Sequence, residues 1–387
     1  MDAVADRSLF VGSIFGFYYD LTLLLGFGGA GRFKELVVWG KAIFVLRCLL
    51  FLAVALLLFW RILFLTTRLS SNHFDFDWCM SLMHVQVAAL GLTSLLVVFV
   101  WHHKGFFDIF AELMTSLSQS TSISAEILEK MRTGVHRRLL VVPVSFLLCG
   151  ILSTVETYYY NTHTAYGPGY TKPAFRSAMF FEDSLFPVDV AVFLYSLLLS
   201  ASAIAIVIIM TLYVKSGYLA LNESFKESVK TTDSRLLSSC SVRQAEFVPV
   251  AKWMSQRTER ILSSHVLSGA TCFVLSTFLL MAYHDRGWLS TTVAVSWWWI
   301  AQILINAPLK NVLLLHKSYH DTKEMMLLDH SAWSAENQAM ATVMVARLDY
   351  LGKLNRVCEA FSVETIVPKV YFFGSFLIPF FFLLKNV

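Results

Sequence analysis

Charge is scarce in this 387-residue chain. Asp, Glu, Lys and Arg make up 15% of it, against about 25% in soluble domains. With 56% hydrophobic residues in repeated long runs, that scarcity excludes an ordinary soluble globule and indicates a polytopic membrane protein. Catalytic signatures are missing too. No Gly-rich phosphate loop, HExxH or GxSxG occurs, so enzyme chemistry has no foothold. Acidic pairs such as Glu182-Asp183 have no His close in sequence. The cysteines (Cys48, Cys79, Cys149, Cys240, Cys272 and Cys358) form no CxxC or Cys/His metal spacing, and read as buried small apolar residues. No cofactor and no nucleic-acid partner is expected. Internal repeats and low-complexity tracts are absent. The start, MDAVADRS, lacks the basic flank of a signal peptide, so no cleaved leader is expected.

What is present is apolar length. Seven stretches are long enough to cross a bilayer, which takes about 20 mainly apolar residues. They lie at about 42–64, 80–101, 139–160, 187–214, 263–284, 291–315 and 368–385. The last, 367-VPKVYFFGSFLIPFFFLLKNV-387, is preceded by a charged stretch, 316–366. An eighth apolar piece, 9–31, is broken by Asp20 and several glycines. A charge in the bilayer core costs about 3 kcal/mol, so 9–31 reads as membrane-apposed or re-entrant, with an extra span as the alternative.

Loop charges give an orientation. Of 31 Lys and Arg, 23 fall in the set 1–41, 102–138, 215–262 and 316–369, and 4 in the opposite loops. By the positive-inside rule the N-terminus is expected in the cytoplasm and, with seven spans, the C-terminus outside. The sequon at Asn222 then falls on the cytoplasmic side, and Cys79 has no disulfide partner near the outer surface. Both points, like the orientation, disfavour a G-protein-coupled receptor. The cytoplasmic stretches read as helical. Within 215–262, Leu219, Phe225 and Val229 recur at helical spacing among charges. Within 337–361, Ala341, Val345, Leu348, Leu351 and Leu354 follow a repeat near 3.5 residues. Such faces are expected to pack together beneath the membrane.

This layout, an all-α membrane protein of seven transmembrane helices with a cytoplasmic N-terminus, long cytoplasmic helical extensions and a short last span, resembles the insect gustatory and odorant receptor superfamily. Local support is the passage 358-CEAF-361 running through Phe361-Ser-Val-Glu364 into the last helix. The family's T-Y, five apolar residues, Q-F mark is not intact: Ser375-Phe376 stands nearest, without a following Gln-Phe, and Pro368 and Pro379 interrupt the segment. The resemblance implies a plasma-membrane chemoreceptor acting as a ligand-gated, nonselective cation channel, gustatory-like, in a homo- or heterotetramer of related subunits. It divides the chain into a cytoplasmic N-terminal segment (1–41), a six-helix ligand-binding region (42–315), cytoplasmic anchor helices (316–366) and a pore helix (367–387).

Two sets of residues follow from it. The pore face of the last helix would be Val370, Phe373, Leu377, Phe381 and Leu384, whose rings could gate by dewetting. The ligand site, for a small tastant or odorant, would gather outer-half residues: Trp78, His84, Gln86, Glu156, Tyr159, Asp189, Tyr283, Trp298 and Gln302. Aromatics with a few polar groups supply apolar area and orienting hydrogen bonds. An acidic group within a span, as at Glu156, usually faces a cavity or a partner, though an interfacial carboxylate explains it as well. The Trp297-Trp298-Trp299 triplet reads equally as an aromatic belt, and His102-His103 as a solvated pair. Membrane lipid is the remaining expected partner. A secondary transporter, or a non-conducting protein of the same fold, stays open as an alternative function.

Overall fold

The computed structural model describes residues 15–25, 38–69, 76–121, 139–163, 185–231, 233–283, 287–328, 333–354, 356–357, 361–362, and the single residues Lys369 and Leu377. The described residues are almost all helical, in a multi-pass membrane protein. Its elements are α1 (Phe17–Leu25), α2 (Val38–Leu69), α3 (Phe76–His103), α4 (Phe106–Thr121), α5 (Val141–His163), α6 (Phe186–Thr231), α7 (Ser234–Ala282), α8 (Trp288–Leu328) and α9 (Ala335–Gly352). A two-residue antiparallel ladder, β1 (Arg356–Val357) with β2 (Phe361–Ser362), follows.

Among the described residues, six helices are long and apolar enough to span a bilayer: α2, α3, α5, α6, α7 and α8. The seventh expected span lies outside the described residues except at Lys369 and Leu377, both helical. Helix α1 has nine residues. At 1.5 Å per residue it is about 14 Å long, half the hydrocarbon thickness. It buries Tyr18, Leu21 and Thr22 against the bundle, with Phe15 buried just before it, and leaves Phe17 and Leu24 exposed.

The spans do not stop at the membrane. Helix α6 has 46 residues and α7 has 49, so each is about 70 Å long, roughly twice the hydrocarbon thickness. The expected separate helices of 215–262 are continuations of α6 and α7, turned at Asp233, whose side chain accepts from the Arg235 amide at 2.8 Å. The buried face of the α6 extension is Tyr218, Leu221, Asn222, Phe225 and Ser228, the i, i+3, i+4 series. Leu219, placed on that face from sequence, is instead exposed, because one residue of helix is a 100° turn.

In this extension, Tyr319 packs edge to face on Tyr218 and Phe247, with the Tyr218 and Tyr319 rings 4.6 Å apart, and the Tyr218 and Phe247 rings are tilted. The Tyr218 hydroxyl donates to Thr322 Oγ1 at 2.8 Å, and Thr322 donates to Asn222 Oδ1 at 2.8 Å. The sequon asparagine is therefore buried between two helices. Helix α9 seats Ala341, Met344, Leu348 and Leu351 on α7 and α8. Gln244 donates to the Met344 carbonyl, and Arg347 to the Ser241 carbonyl at 2.8 Å. The helix ends at Gly352, short of the expected residue 361; of the 358-CEAF-361 passage read as helix, Phe361 lies on the ladder and 358–360 lie outside the described residues.

Helix α6 is the axis of the membrane bundle, touching α1, α2, α3, α4, α5, α7 and α8. Small residues make this approach possible: Ser196, Ser200, Ala201, Ser202, Ala203 and Ala205 are all buried. Gly91 of α3 lies so close that a Cβ there would stand 2.6 Å from Ser196 Cβ. Ser196, Ser202 and Thr211 donate to carbonyls one turn back at 2.7–2.8 Å, whereas the buried Ser200 hydroxyl has no hydrogen-bond partner. Four cysteines (Cys79, Cys149, Cys240 and Cys272) are buried and form no disulfide among the described residues.

Candidate functional site

A polar layer is buried between α2, α3, α5, α6 and α8, near the ends of the spans joined by the charge-poor loops. Its centre is Arg61 of α2, 3% exposed. One guanidinium nitrogen, Nη1, donates to the Asp189 carboxylate and, at 3.1 Å, to the Asp189 carbonyl. The other, Nη2, lies 3.2 Å from His84 Nδ1. Arginine carries only donors, so Nδ1 accepts, and the ring proton sits on Nε2. His84 is therefore the neutral tautomer in this arrangement. Its ring stacks on Phe193 at 4.6 Å, and the Arg61 guanidinium lies 5.3 Å from the same Phe193 ring. Trp297 closes the layer, its ring 5.9 Å from His84 and its Nε1 donating to Ser153 Oγ at 3.1 Å.

Local sequence explains these positions. Asp189 sits in the first turn of α6, where an acidic group favours the helix dipole. His84 and Phe193 come from α3 and α6, which run parallel: further along both, Gly91 meets Ser196. The charged partners sit far apart in sequence, 128 residues, so no spacing rule links them.

Beside the ion pair is a cavity of about 10 Å³, lined by Arg61, His84, Thr154, Thr157, Phe186, Asp189, Val190 and Phe193. That is room for about one water. A second, apolar groove of about 400 Å³ opens on the opposite face of α6, lined by Val54, Pro187, Val188, Ala191, Val192 and Tyr195. The Tyr195 hydroxyl is already committed to the Leu25 carbonyl.

The residues nominated from sequence fall into three groups. His84 and Asp189 meet in the polar layer. Glu156 is fully buried one layer away, accepting from Ser290 of α8 at 3.3 Å. Gln86 turns to α7 and accepts from Ser268 at 3.1 Å, as the two-residue offset from His84 requires. Trp78 is half-buried at the start of α3, and Tyr283 packs on Phe76 and Phe278 at the end of α7. Gln302 bonds locally with Asn306. Tyr159 is 48% exposed, and Trp298 is half-buried while its neighbour Trp297 carries the inward contact. His102, read as solvated, instead packs on Tyr19 and Phe107 and meets Thr22 Oγ1 at 3.2 Å; His103 is exposed. Of the pore set, Leu377 is exposed; Val370, Phe373, Phe381 and Leu384 lie outside the described residues.

Sequence reasoning missed Arg61 and Trp297. The signal for Arg61 was available: an arginine near the end of an apolar span either snorkels to the interface or meets a buried partner. Among the described residues, no group of three or more His, Cys, Asp or Glu could hold a metal ion.

No protein-family model matches the sequence, and no curated relative is found. Solved structures do match. The insect olfactory receptor OR5 from Machilis hrabei superposes with a TM-score of 0.66 at 8% identity, covering 93% of this chain and 96% of that one. The same receptor in complex with eugenol gives 0.64 at 10% identity, covering 95% and 97%. Both neighbours are receptors rather than enzymes. Over 93–95% of its length this chain has the fold of an insect olfactory receptor.

Proposed function

We propose that this chain is a divergent, gustatory-like subunit of the insect odorant and gustatory receptor superfamily, working as a ligand-gated, nonselective cation channel in the plasma membrane. The carrying observation is the likeness to OR5 over more than nine-tenths of both chains. Fold alone does not fix function. The buried polar layer among α2, α3, α5, α6 and α8 adds a place where a small organic molecule could be held and oriented. In this reading His84, Asp189 and Glu156, with Arg61 and Trp297, form the inner part of the ligand site. Trp78, Gln86, Tyr283, Trp298 and Gln302 form its flanks, and Tyr159 its outer rim.

The pore would be the last helix, with Val370, Phe373, Leu377, Phe381 and Leu384 around a fourfold axis in a homo- or heterotetramer. The extension built from α6, α7, α8 and α9 would be the cytoplasmic anchor between subunits, which sets the N-terminus in the cytoplasm. Domain limits at 41, 315 and 366 then separate the N-terminal segment, ligand-binding region, anchor and pore.

The test is expression in a cell line without endogenous receptors, with surface delivery confirmed and whole-cell current recorded across a panel of volatiles, sugars and bitter compounds. A current evoked by at least one compound, abolished by a Phe381→Asp change that leaves surface delivery intact, is the expected result. Substrate uptake without current would overturn the channel reading in favour of a transporter.

A further inference from the structure

Where α6 and α8 leave the membrane for the extension, the seam between them gathers two lysines. Lys215 of α6 is half-buried and Lys310 of α8 is exposed. Lys215 stands one turn before Tyr218, whose hydroxyl bonds Thr322 and whose ring packs on Tyr319, so it shares the face of α6 that meets α8. The largest charge effect on the Lys215 ammonium comes from Lys310 and is repulsive. Among the described residues, no ion pair or hydrogen bond reaches either ammonium. Glu223, the next acid along α6, is taken by Lys226. Asp321, the next acid along α8, pairs with neither lysine.

Depth indicates which anion the place suits. Helices α6 and α8 begin at the opposite surface, at Phe186 and the exposed Trp288. At 1.5 Å per residue, Lys310 is about 33 Å along α8 and Lys215 about 43 Å along α6. The hydrocarbon core is about 30 Å thick, or about 40–45 Å with its headgroup layers. Both ammoniums therefore fall at the headgroup level of the leaflet beside the extension. A lone lysine there reaches water by itself. A like-charged pair with one member half-buried is repulsive until an anion sits between.

We propose that one anionic phospholipid of that leaflet binds at the α6–α8 seam, its phosphate held between Lys215 and Lys310. Basic pockets between membrane helices select acidic headgroups, and each lysine is worth roughly fivefold in affinity. The bound lipid clamps together the two helices that carry the extension at the point where they leave the bilayer. The site is independent of whether the chain conducts.

The test titrates purified full-length protein in neutral detergent with phosphatidylserine or phosphatidylcholine of identical acyl chains, counting bound lipid by native mass spectrometry. One phosphatidylserine is expected to bind about tenfold or more tighter than phosphatidylcholine and to raise the unfolding temperature. Lys215→Gln and Lys310→Gln are each expected to cut the preference to about threefold or less. Without phosphatidylserine, both variants are expected to unfold at the wild-type temperature or above, because each relieves a repulsion; a purely structural lysine would lower it. Should Lys215→Gln fail to fold, the exposed Lys310→Gln carries the test alone. Lys252→Gln, at an exposed lysine of α7, is expected to leave the preference unchanged. Equal binding of the two lipids overturns the proposal, as does a full preference retained in Lys310→Gln. An equal loss in Lys252→Gln overturns it too, since the preference is then diffuse surface charge. Glycerophosphoserine binding as tightly as the intact lipid makes this a soluble-anion site and overturns the lipid assignment. None of these outcomes alters the evoked current that tests the receptor reading.

Discussion

Helices α2 and α6 are both strongly apolar, yet they have opposite fates. Of the most apolar 18-residue window, 83% is buried in α6 and 6% in α2. Hydrophobicity cannot distinguish them, because in a bilayer lipid tails are as apolar as leucine and drive no helix into the centre. The difference lies in side-chain size. Helix α6 alternates bulky aliphatics with Ser196, Ser200, Ala201, Ser202 and Ala203, so neighbouring backbones can approach. Helix α2 turns Leu46, Leu49, Leu50, Leu52, Leu56 and Phe59 outward. It packs along α3 and reaches α6 sparsely, with Arg61 as its polar link.

The largest expected effect comes from breaking that link. Arg61→Ala strands the Asp189 carboxylate in a buried site, and a loss of about 3–5 kcal/mol is expected by reversible unfolding in detergent. Overfilling the crowded side of the comparison ranks next. Gly91→Leu drives a side chain into Ser196, and a loss of about 1–3 kcal/mol is expected. The analogous approach is Gly269, whose added Cβ would stand 2.8 Å from Leu304 Cβ. Tyr218→Phe removes the hydroxyl that donates to Thr322 in the extension. About 1 kcal/mol is expected, and the same change in a Thr322→Val background should cost less. Smallest is Leu49→Ala on the outward face of α2, where an effect within about 0.5 kcal/mol is expected in the same assay. A cost near that of Gly91→Leu would mean that α2 has a protein neighbour there rather than lipid.

Much of the fold was legible in the sequence because membrane spans are long apolar runs, and six of the apolar stretches read from sequence fall on α2, α3, α5, α6, α7 and α8. Two things were not legible. Charges in 215–262 suggest where lipid ends, but charge does not break a helix, and even Pro249 is accommodated inside α7, so α6 and α7 run on. The ladder at Arg356–Val357 and Phe361–Ser362 is too short to leave a period-2 pattern. In the site, His84 and Asp189 were accessible as polar residues in apolar spans. Their convergence on Arg61 was not, because pairing across 128 residues depends on how helices are arranged. Trp298 was nominated over Trp297 for a related reason: three consecutive tryptophans point in three directions, and only packing shows that Trp297 is the buried one.

That Arg61 and Asp189 tie the lipid-facing helix to the bundle is tested most directly by a double-mutant cycle on the unfolding free energy of the purified protein, using Arg61→Met, Asp189→Leu and the combination. Each single change strands one buried charge and the pair strands none, so the combined loss is expected to fall short of the sum of the single losses by at least about 2 kcal/mol. Additive losses within about 0.5 kcal/mol would contradict the link.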